Sequence, residues 1–262
     1  MTDFADLYAR PLRLLFYDIE TAPLLGFFWQ LNQDWINPEM VEQDWFMFCW
    51  SAKWSDGTQV LSKVLTSKEA KAQDDRRIVE SLAELIRKAD IIVAHNGNAF
   101  DVKKLNSRLV YHGLEPLGQT QMIDTLTIAR GTFKFTSNKL DYLAKFLGLP
   151  GKLPTGFALW RDCYHGSKAA LEQMVAYNRN DVLVLERVFH KLMPHAKTLP
   201  RLVDAVEYHQ DVCPTCGSRN HRKDGLYRTK ASTFQRFRCD GCGRRFRGRQ
   251  TLGSQKTAGV PL

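Results

Sequence analysis

The chain of 262 residues has no run of about 18 apolar residues, so no helical membrane span is expected. Its opening residues, MTDFADLYARP, lack a basic region followed by an apolar stretch. A secretory signal peptide is therefore not expected, and the expected location is the cytoplasm of a bacterium or of a phage-infected cell. No internal repeat is visible. Charge imbalance is nearly absent from residues 1–200, which carry 24 Lys/Arg against 23 Asp/Glu. The overall net charge of +9 comes almost wholly from residues 201–262, with 13 Lys/Arg against 5 Asp/Glu. A basic module beside a near-neutral one suggests a polyanion held by one part and processed by the other. The 44% apolar share is enough for a packed core, and the length suits one large domain, or one domain and a small module.

The pattern of apolar residues predicts an α/β domain. Residues 12–20 read as a strand, WFMFCWSAKW as a second, and VLSKVLT as a third, with SDGT as the hairpin turn between the last two. Residues 21–44 form a long connection with Trp29, Trp35 and several turn residues. Ile78, Leu82, Leu85, Ile86 and Ala89 repeat at helical spacing. IIVAHN is short and apolar throughout, as a strand buried on both faces would be. A helix opens at Asp101 and ends at Gly113. Ile123 to Ala129 reads as a strand or a strand–helix junction. Leu140, Leu143, Ala144 and Leu147 mark another helix, closed by Gly148. Residues 167–192 form a last helix, stopped by Pro194, and a linker covers 194–210. Hairpin strands followed by alternating strands and helices predict a mixed central sheet.

Three separated segments carry the chemistry. Asp18 and Glu20, two apart in FYDIET, face one side of a strand, and Tyr177 and Asp181, four apart in YNRND, share one helical face. Asp101 closes HNGNAFD. If the segments converge, four carboxylates meet, and such a cluster repels itself unless cations fill it. Hard cations with oxygen ligands suit it, and paired metal sites of this kind cut phosphodiesters.

In order and spacing, D-x-E, N-G-x-x-F-D and Y-x-x-x-D resemble the DEDDy 3′–5′ exonucleases of the ribonuclease-H-like superfamily, over roughly residues 12–192. NGNAFD is similar to the second motif of B-family polymerase proofreading domains, and the stretch from DIETAPL to FCWSAKW resembles stand-alone phage exonucleases. The resemblance implies a five-stranded ribonuclease-H-like sheet flanked by helices, with its first strand central, over residues 1–200. It implies two Mg²⁺ or Mn²⁺ ions on Asp18, Glu20, Asp101 and Asp181, gripping the scissile phosphate, activating water and stabilising the leaving 3′ oxygen, with Asp18 as the bridging ligand. Tyr177 would orient the attacking water. Asn96 and Phe100 would hold the terminal nucleotides, and Thr21 and Leu24 would contact the last base. His95 precedes the second motif and is not assigned as a base. The implied substrate is a nucleic-acid 3′ end, single-stranded DNA in the first instance. No polymerase domain fits in the remaining residues, so proofreading or repair would be in trans, with a DNA polymerase or another replication protein as candidate partner.

Four of the six cysteines form two pairs: Cys213 and Cys216 in CPTCG, Cys239 and Cys242 in CDGCG, with 22 residues between the pairs. Each C-x2-C followed by Gly aims two thiolates at one ion, and four thiolates make a closed structural Zn²⁺ site. An iron site or a redox dithiol is the alternative, and the lack of a thioredoxin-like βαβ context around either pair disfavours the dithiol. Two short strands would fill the interval, giving a small C-terminal zinc ribbon over residues 208–250 with a disordered tail over 251–262. The ribbon is poor in apolar residues, so the metal would supply most of its folding energy. Cys49 and Cys163 stand alone and read as core or surface residues. Arg222, Arg228, Arg236, Arg238, Arg244, Arg245, Arg247 and Arg249 are interleaved with Tyr227, Phe234, Phe237 and Phe246. Arginines can meet phosphates while aromatics stack on bases, or the aromatics merely fill a small core. Arg236, Arg238, Arg244, Arg245 and Arg247 are the candidate nucleic-acid contacts.

Two other functions compete: an exonuclease acting on RNA 3′ ends, since no motif reads the 2′-hydroxyl, and a non-catalytic nucleic-acid-binding replisome factor. The presence of all four carboxylates argues against the second.

Overall fold

The structure is a computed structural model, and it describes residues 12–30, 35–118, 120–196, 213–215 and 218–252. Cys216, the expected linker from residue 197 onward and the expected tail from 253 onward lie outside the described residues. In chain order the strands are β1 (Leu14–Thr21), β2 (Leu25–Gly26), β3 (Val41–Gln43), β4 (Met47–Trp54), β5 (Val60–Val64), β6 (Ile91–Ala94), β7 (Gln121–Asp124), β8 (His221–Arg228), β9 (Thr233–Cys239) and β10 (Arg245–Thr251). The α-helices are α1 (Ser67–Ala72), α2 (Arg76–Arg87), α3 (Asp101–Tyr111), α4 (Thr125–Thr132), α5 (Leu140–Phe146), α6 (Phe157–Tyr164) and α7 (Lys168–Leu192).

Five strands form a mixed sheet in the order β5-β4-β1-β6-β7, with β1 in the centre. β4 and β5 are antiparallel to their neighbours, while β6 runs parallel to β1 and β7 parallel to β6. This is the mixed five-stranded arrangement, with its first strand central, that the family resemblance implies. The hairpin closes where expected, with the Gly57 N–H donating to the Trp54 carbonyl at 3.1 Å. β6 is buried along its whole length, as an apolar run without alternation should be.

The alternation of β1 divides the core and aims the site. Leu15, Tyr17 and Ile19 enter one apolar layer, with α2, part of α3 and the first half of α7. Phe16 enters the opposite layer, with α4, α5 and the second half of α7. Asp18 and Glu20 follow Phe16 at period two, so they emerge on that second side, where β1 leaves the core. The register slips between Glu20 and Thr21, which ends regular pairing at this edge of the sheet.

The helices follow their sequence signals. Ile78, Val79, Leu82, Ala83 and Ile86 line the buried face of α2. α3 starts at Asp101, and Gly113 beyond its end adopts φ 61°, a left-handed conformation that suits glycine. The Ile123–Ala129 segment is a strand–helix junction, β7 running directly into α4. Ser167 caps α7 by accepting from the Ala170 N–H at 3.4 Å. α1, with a Thr66/Glu69 capping box, and α6 were not expected, nor was the two-stranded β2–β3 pair in the long connection. Thr66-x-x-Glu69 was a readable signal for α1.

The basic end is a three-stranded antiparallel sheet, β10-β9-β8. Two strands do fill the interval between the cysteine pairs, and a third follows Cys242. The small sheet lies against the end of α7, where an Arg244 guanidinium nitrogen donates to the Met193 carbonyl at 3.3 Å.

Candidate active site and cysteine cluster

β1 and α7 bring the first group together. One carboxylate oxygen from each of Asp18, Glu20 and Asp181 lies within 4.8 Å of the others, although 160 residues separate Asp18 from its α7 neighbour Asn178. Asp101, buried in the first turn of α3, stands beside this trio, close enough to raise the Asp18 carboxyl, but outside the tightest group. Tyr177 is one turn before Asp181 on the same face, and its ring packs edge-on against Trp160 at 6.0 Å.

Burial, and after it the packing of like charges, raises these carboxyls. Burial, followed by Asp101, Glu20 and Asp181, holds the Asp18 carboxyl well above its ordinary range. Burial and then Asp181 push Glu20 up to about 8, against an opposing pull from Lys152. Asp101 is pushed up to about 7 by burial, although a hydrogen bond from the Ile19 backbone works the other way. Asp181 is raised by burial, partly offset by Lys152.

Sequence reasoning missed three participants. Lys152 places its ammonium 2.5 Å from Asp181 Oδ2 and 3.3 Å from the Tyr177 hydroxyl. Burial alone would lower this ammonium, but Asp181 and Asp18 more than reverse that and hold it above its usual range. Nothing in LGLPGKLPTG marks Lys152 as functional. Asn178 donates from Nδ2 to Asp18 Oδ2 at 2.7 Å, and its place three residues before Asp181 on the same helical face was a readable signal. Asp124 caps α4 and also accepts from the backbone N–H groups of Asn96 at 2.9 Å and Asn98 at 3.3 Å. It thereby fixes the turn that carries the second motif, and an acidic residue just before TLTIA is a legible N-cap.

Donor chemistry fits divalent cations. Among the described residues, Asp181 Oδ1 is buried and lacks a hydrogen-bond partner, in a cluster whose carboxylates outnumber the Lys152 ammonium that faces them. Oxygen donors left unpaired at this density suit hard ions such as Mg²⁺ or Mn²⁺.

The remaining predicted residues lie on or next to the elements that carry the carboxylates. Thr21 ends β1, and Leu24 is 51% exposed. Asn96 adopts φ 71° and accepts from the Phe100 N–H at 3.0 Å, in a compact turn that leaves Phe100 39% exposed. His95 uses both ring nitrogens, toward the Thr125 hydroxyl and the Asn138 carbonyl, each at 2.9 Å, so neither is available to act on a substrate. Cys49 and Cys163 are both buried core residues.

In the C-terminal sheet, the sulfurs of Cys213, Cys239 and Cys242 lie within 4.8 Å of one another. Cys213 Sγ is 3.6 Å from Cys242 Sγ, and the Cys242 N–H points to Cys239 Sγ at 3.5 Å. Gly243, at φ 75°, closes the knuckle by donating to the Cys239 carbonyl at 3.0 Å. Three soft donors at one point fit a thiophilic ion such as Zn²⁺. Arg238 of β9 pairs in register with Arg222 of β8 and Arg245 of β10, and Arg236 pairs with Arg247. Five arginines thus share one face. Arg236 donates to the Asp224 carbonyl at 2.7 Å, Arg245 pairs with the Asp224 carboxylate at 2.6 Å, and Arg222 with Asp240 at 2.6 Å. Arg247 lies 4.2 Å above the Phe234 ring. Arg244 is turned toward α7 rather than along this face. Phe237 and Phe246 stack on the opposite side with centroids 5.5 Å apart, filling the small core.

Comparison with known proteins agrees with the fold of the larger domain. A family model described as the RNase_H superfamily matches residues 41–193, beginning after β1. A stretch of 55 residues is 47% identical to DNA polymerase III PolC-type of Ureaplasma parvum serovar 3, covering 21% of this chain and 4% of that protein. The family B DNA polymerase of the hyperthermophilic archaeon Pyrobaculum calidifontis shares the fold with a TM-score of 0.53 at 20% identity, over 71% of this chain and 25% of that one. The chain thus corresponds to a small part of each of these proteins.

Proposed function

The chain belongs to the RNase_H superfamily, and on that premise we propose that it is a divalent-metal-dependent 3′–5′ exonuclease acting on single-stranded DNA ends. One observation carries this reading: Asp18, Glu20 and Asp181 converge within 4.8 Å from two distant elements. Asp101 sits beside them and Tyr177 one turn away. Asp18, Glu20, Asp101 and Asp181 would hold two Mg²⁺ or Mn²⁺ ions. Bound there, the ions would supply the Lewis acidity that activates water and neutralises charge on the phosphate.

The chain's own groups would do the positioning. Asn178 fixes Asp18 through its Nδ2–H. Tyr177 is pushed up to about 12 by burial and by Asp181, so its hydroxyl keeps its proton at neutral pH and orients water instead of deprotonating it. Lys152 holds that hydroxyl. Leu24 and Phe100, both exposed, would pack on terminal bases, while Thr21 and Asn96 would contact the end through backbone and amide groups.

Cys213, Cys239 and Cys242, with Cys216, would hold one structural Zn²⁺. The face carrying Arg236, Arg238, Arg245 and Arg247 would meet phosphates, because Asp224 and Asp240 offset only part of the like charge held there in cross-strand register and a polyanion would relieve the rest. Arg244 would serve mainly at the α7 junction. The relatives named as polymerases support proofreading in trans, with a polymerase as partner. No helix among the described residues is long and apolar enough to cross a membrane. Polarity is tested with one oligonucleotide labelled at either end. A 5′ label should yield a ladder shortening from the 3′ end, and a 3′ label should yield labelled mononucleotide first. Release of 5′-labelled mononucleotide as the first product would overturn the assigned direction.

A further inference from the structure

A row of rings on the second face of the domain belongs to neither the carboxylate cluster nor the cysteine cluster. Tyr142 stacks on Phe146 with centroids 6.2 Å apart, Phe146 meets Phe135 at 5.1 Å, Phe135 stacks on Phe133 at 4.9 Å, and Phe133 meets His195 at 5.7 Å. Phe146 is 62% exposed, although it ends a helix whose buried side is already supplied by Leu140, Leu143 and Ala144. An exposed phenyl ring there adds nothing to the core.

Both ends of the row are tied to places already described. At one end, Asp141, next to Tyr142, accepts from the backbone N–H of Lys152 at 3.2 Å, the residue that reaches Asp181. At the other end, His195 shares a turn with Met193 and Pro194. The Met193 carbonyl receives Arg244, and Pro194 faces Gly243 in the cysteine knuckle. The row therefore runs from the loop at the carboxylate cleft to the base of the arginine-faced sheet.

Its charge matches a polyanion. Residues 130–146 contain Arg130, Lys134, Lys139 and Lys145 and a single carboxylate, Asp141, which pairs with Lys145 at 2.7 Å. Arg130, Lys134 and Lys139 are exposed and have no ion-pair partner among the described residues. Aromatic rings alternating with cations are the chemistry of a single-strand path: bases stack on rings whatever their identity, and phosphates meet the cations.

We propose that Tyr142, Phe146, Phe135, Phe133 and His195 line a track that carries single-stranded DNA between the carboxylate cleft and the C-terminal sheet. This rests on the exonuclease reading only for the destination of the strand. The track itself is a binding surface and can be measured without hydrolysis.

The test uses the full chain and 5′-fluorescein oligothymidylates of four and twelve nucleotides, with anisotropy measured in Ca²⁺ and hydrolysis measured separately in Mg²⁺. Phe146→Ala, and separately Lys134→Glu with Lys139→Glu, change exposed positions; their melting temperatures serve as the folding control. Each should weaken the twelve-nucleotide probe about tenfold or more, the scale of one lost stack or of lost phosphate contacts. Binding of the four-nucleotide probe and kcat should stay at the wild-type level. Unchanged binding of the longer probe, or equal weakening of both probes, would overturn the track. If wild-type protein fails to hydrolyse DNA while the variants still lose the longer probe selectively, the track stands and the exonuclease reading falls. If hydrolysis is normal and the variants bind as wild type, the reverse holds.

Discussion

Lys152 Nζ lies 2.5 Å from Asp181 Oδ2, an ammonium group set against carboxylates that β1 and α7 bring within 4.8 Å of one another, with Asp101 of α3 beside them. Burial, together with repulsion among the carboxylates, outweighs the charge it brings. Asp18, Glu20, Asp101 and Asp181 remain raised despite it, with Glu20 at about 8 and Asp101 at about 7.

That imbalance sets a pH dependence. Unfolded Asp and Glu titrate near 4, at about 3.9 and 4.3. A carboxyl raised in the folded state keeps its proton there after the unfolded chain has lost its own. Its contribution to stability is complete below about pH 4 and disappears as pH rises through the folded values, about 7 for Asp101 and about 8 for Glu20. In EDTA, the melting temperature should fall between about pH 5 and 8. Saturating Mg²⁺ should remove most of that fall, because bound cations take over from protons and stabilise only the folded site. Calorimetry across this range, with and without Mg²⁺, checks it; melting temperatures indifferent to both would contradict the crowded-carboxylate account.

Tyr177→Phe should leave the fold and Mg²⁺ binding intact, because the ring and its contact with Trp160 remain. Single-turnover hydrolysis should slow by about 10²-fold if the hydroxyl positions water. An unchanged rate would reduce Tyr177 to a packing residue.

Much of this was legible beforehand, and the physical reasons are specific. β1 could be read because apolar residues alternate with Asp18 and Glu20 at period two, and α7 because Tyr177 and Asp181 lie one turn apart. β4, buried along nearly its whole length, was visible in the apolar and aromatic residues of WFMFCWSAKW, although Ser51 and Lys53 interrupt them. Lys152 was not, because a lysine in a Gly- and Pro-rich loop carries no periodic signal, and its partner Asp181 lies 29 residues away. The same holds for Asp75. It is fully buried and accepts from Arg108 Nη2 at 2.6 Å, His112 Nε2 at 2.6 Å and the Met47 N–H at 2.8 Å, yet nothing in QDDRR sets it apart from Asp74.

Asp75 yields a stability prediction far from the chemistry. Asp75→Ala leaves the buried Arg108 guanidinium without its carboxylate and should cost about 3–5 kcal/mol, the usual range for breaking a buried pair on one side. Urea denaturation followed by tryptophan fluorescence measures it. A loss within about 0.5 kcal/mol of zero, as at ordinary surface sites, would mean that the pair contributes little.

The C-terminal sheet should contribute affinity and no chemistry. Removing residues 206–262 should raise KM at low salt and leave kcat on short oligonucleotides nearly unchanged, as loss of uniform binding does. The difference should shrink steeply with salt, because arginine–phosphate contacts act by releasing counterions. Full-length protein should carry one Zn²⁺ by elemental analysis, and Cys239→Ser should lose it. A truncated protein with wild-type KM at every salt concentration would assign the sheet to a protein partner instead.

The most direct test of the central claim is digestion of a 5′-labelled single-stranded oligodeoxynucleotide by wild-type and Asp18→Ala protein, each in Mg²⁺ and in EDTA, with circular dichroism to show that both are folded. The account predicts stepwise shortening from the 3′ end by wild type in Mg²⁺ alone, and none by Asp18→Ala in either condition. Equal digestion by folded Asp18→Ala, or by wild type in EDTA, would contradict it.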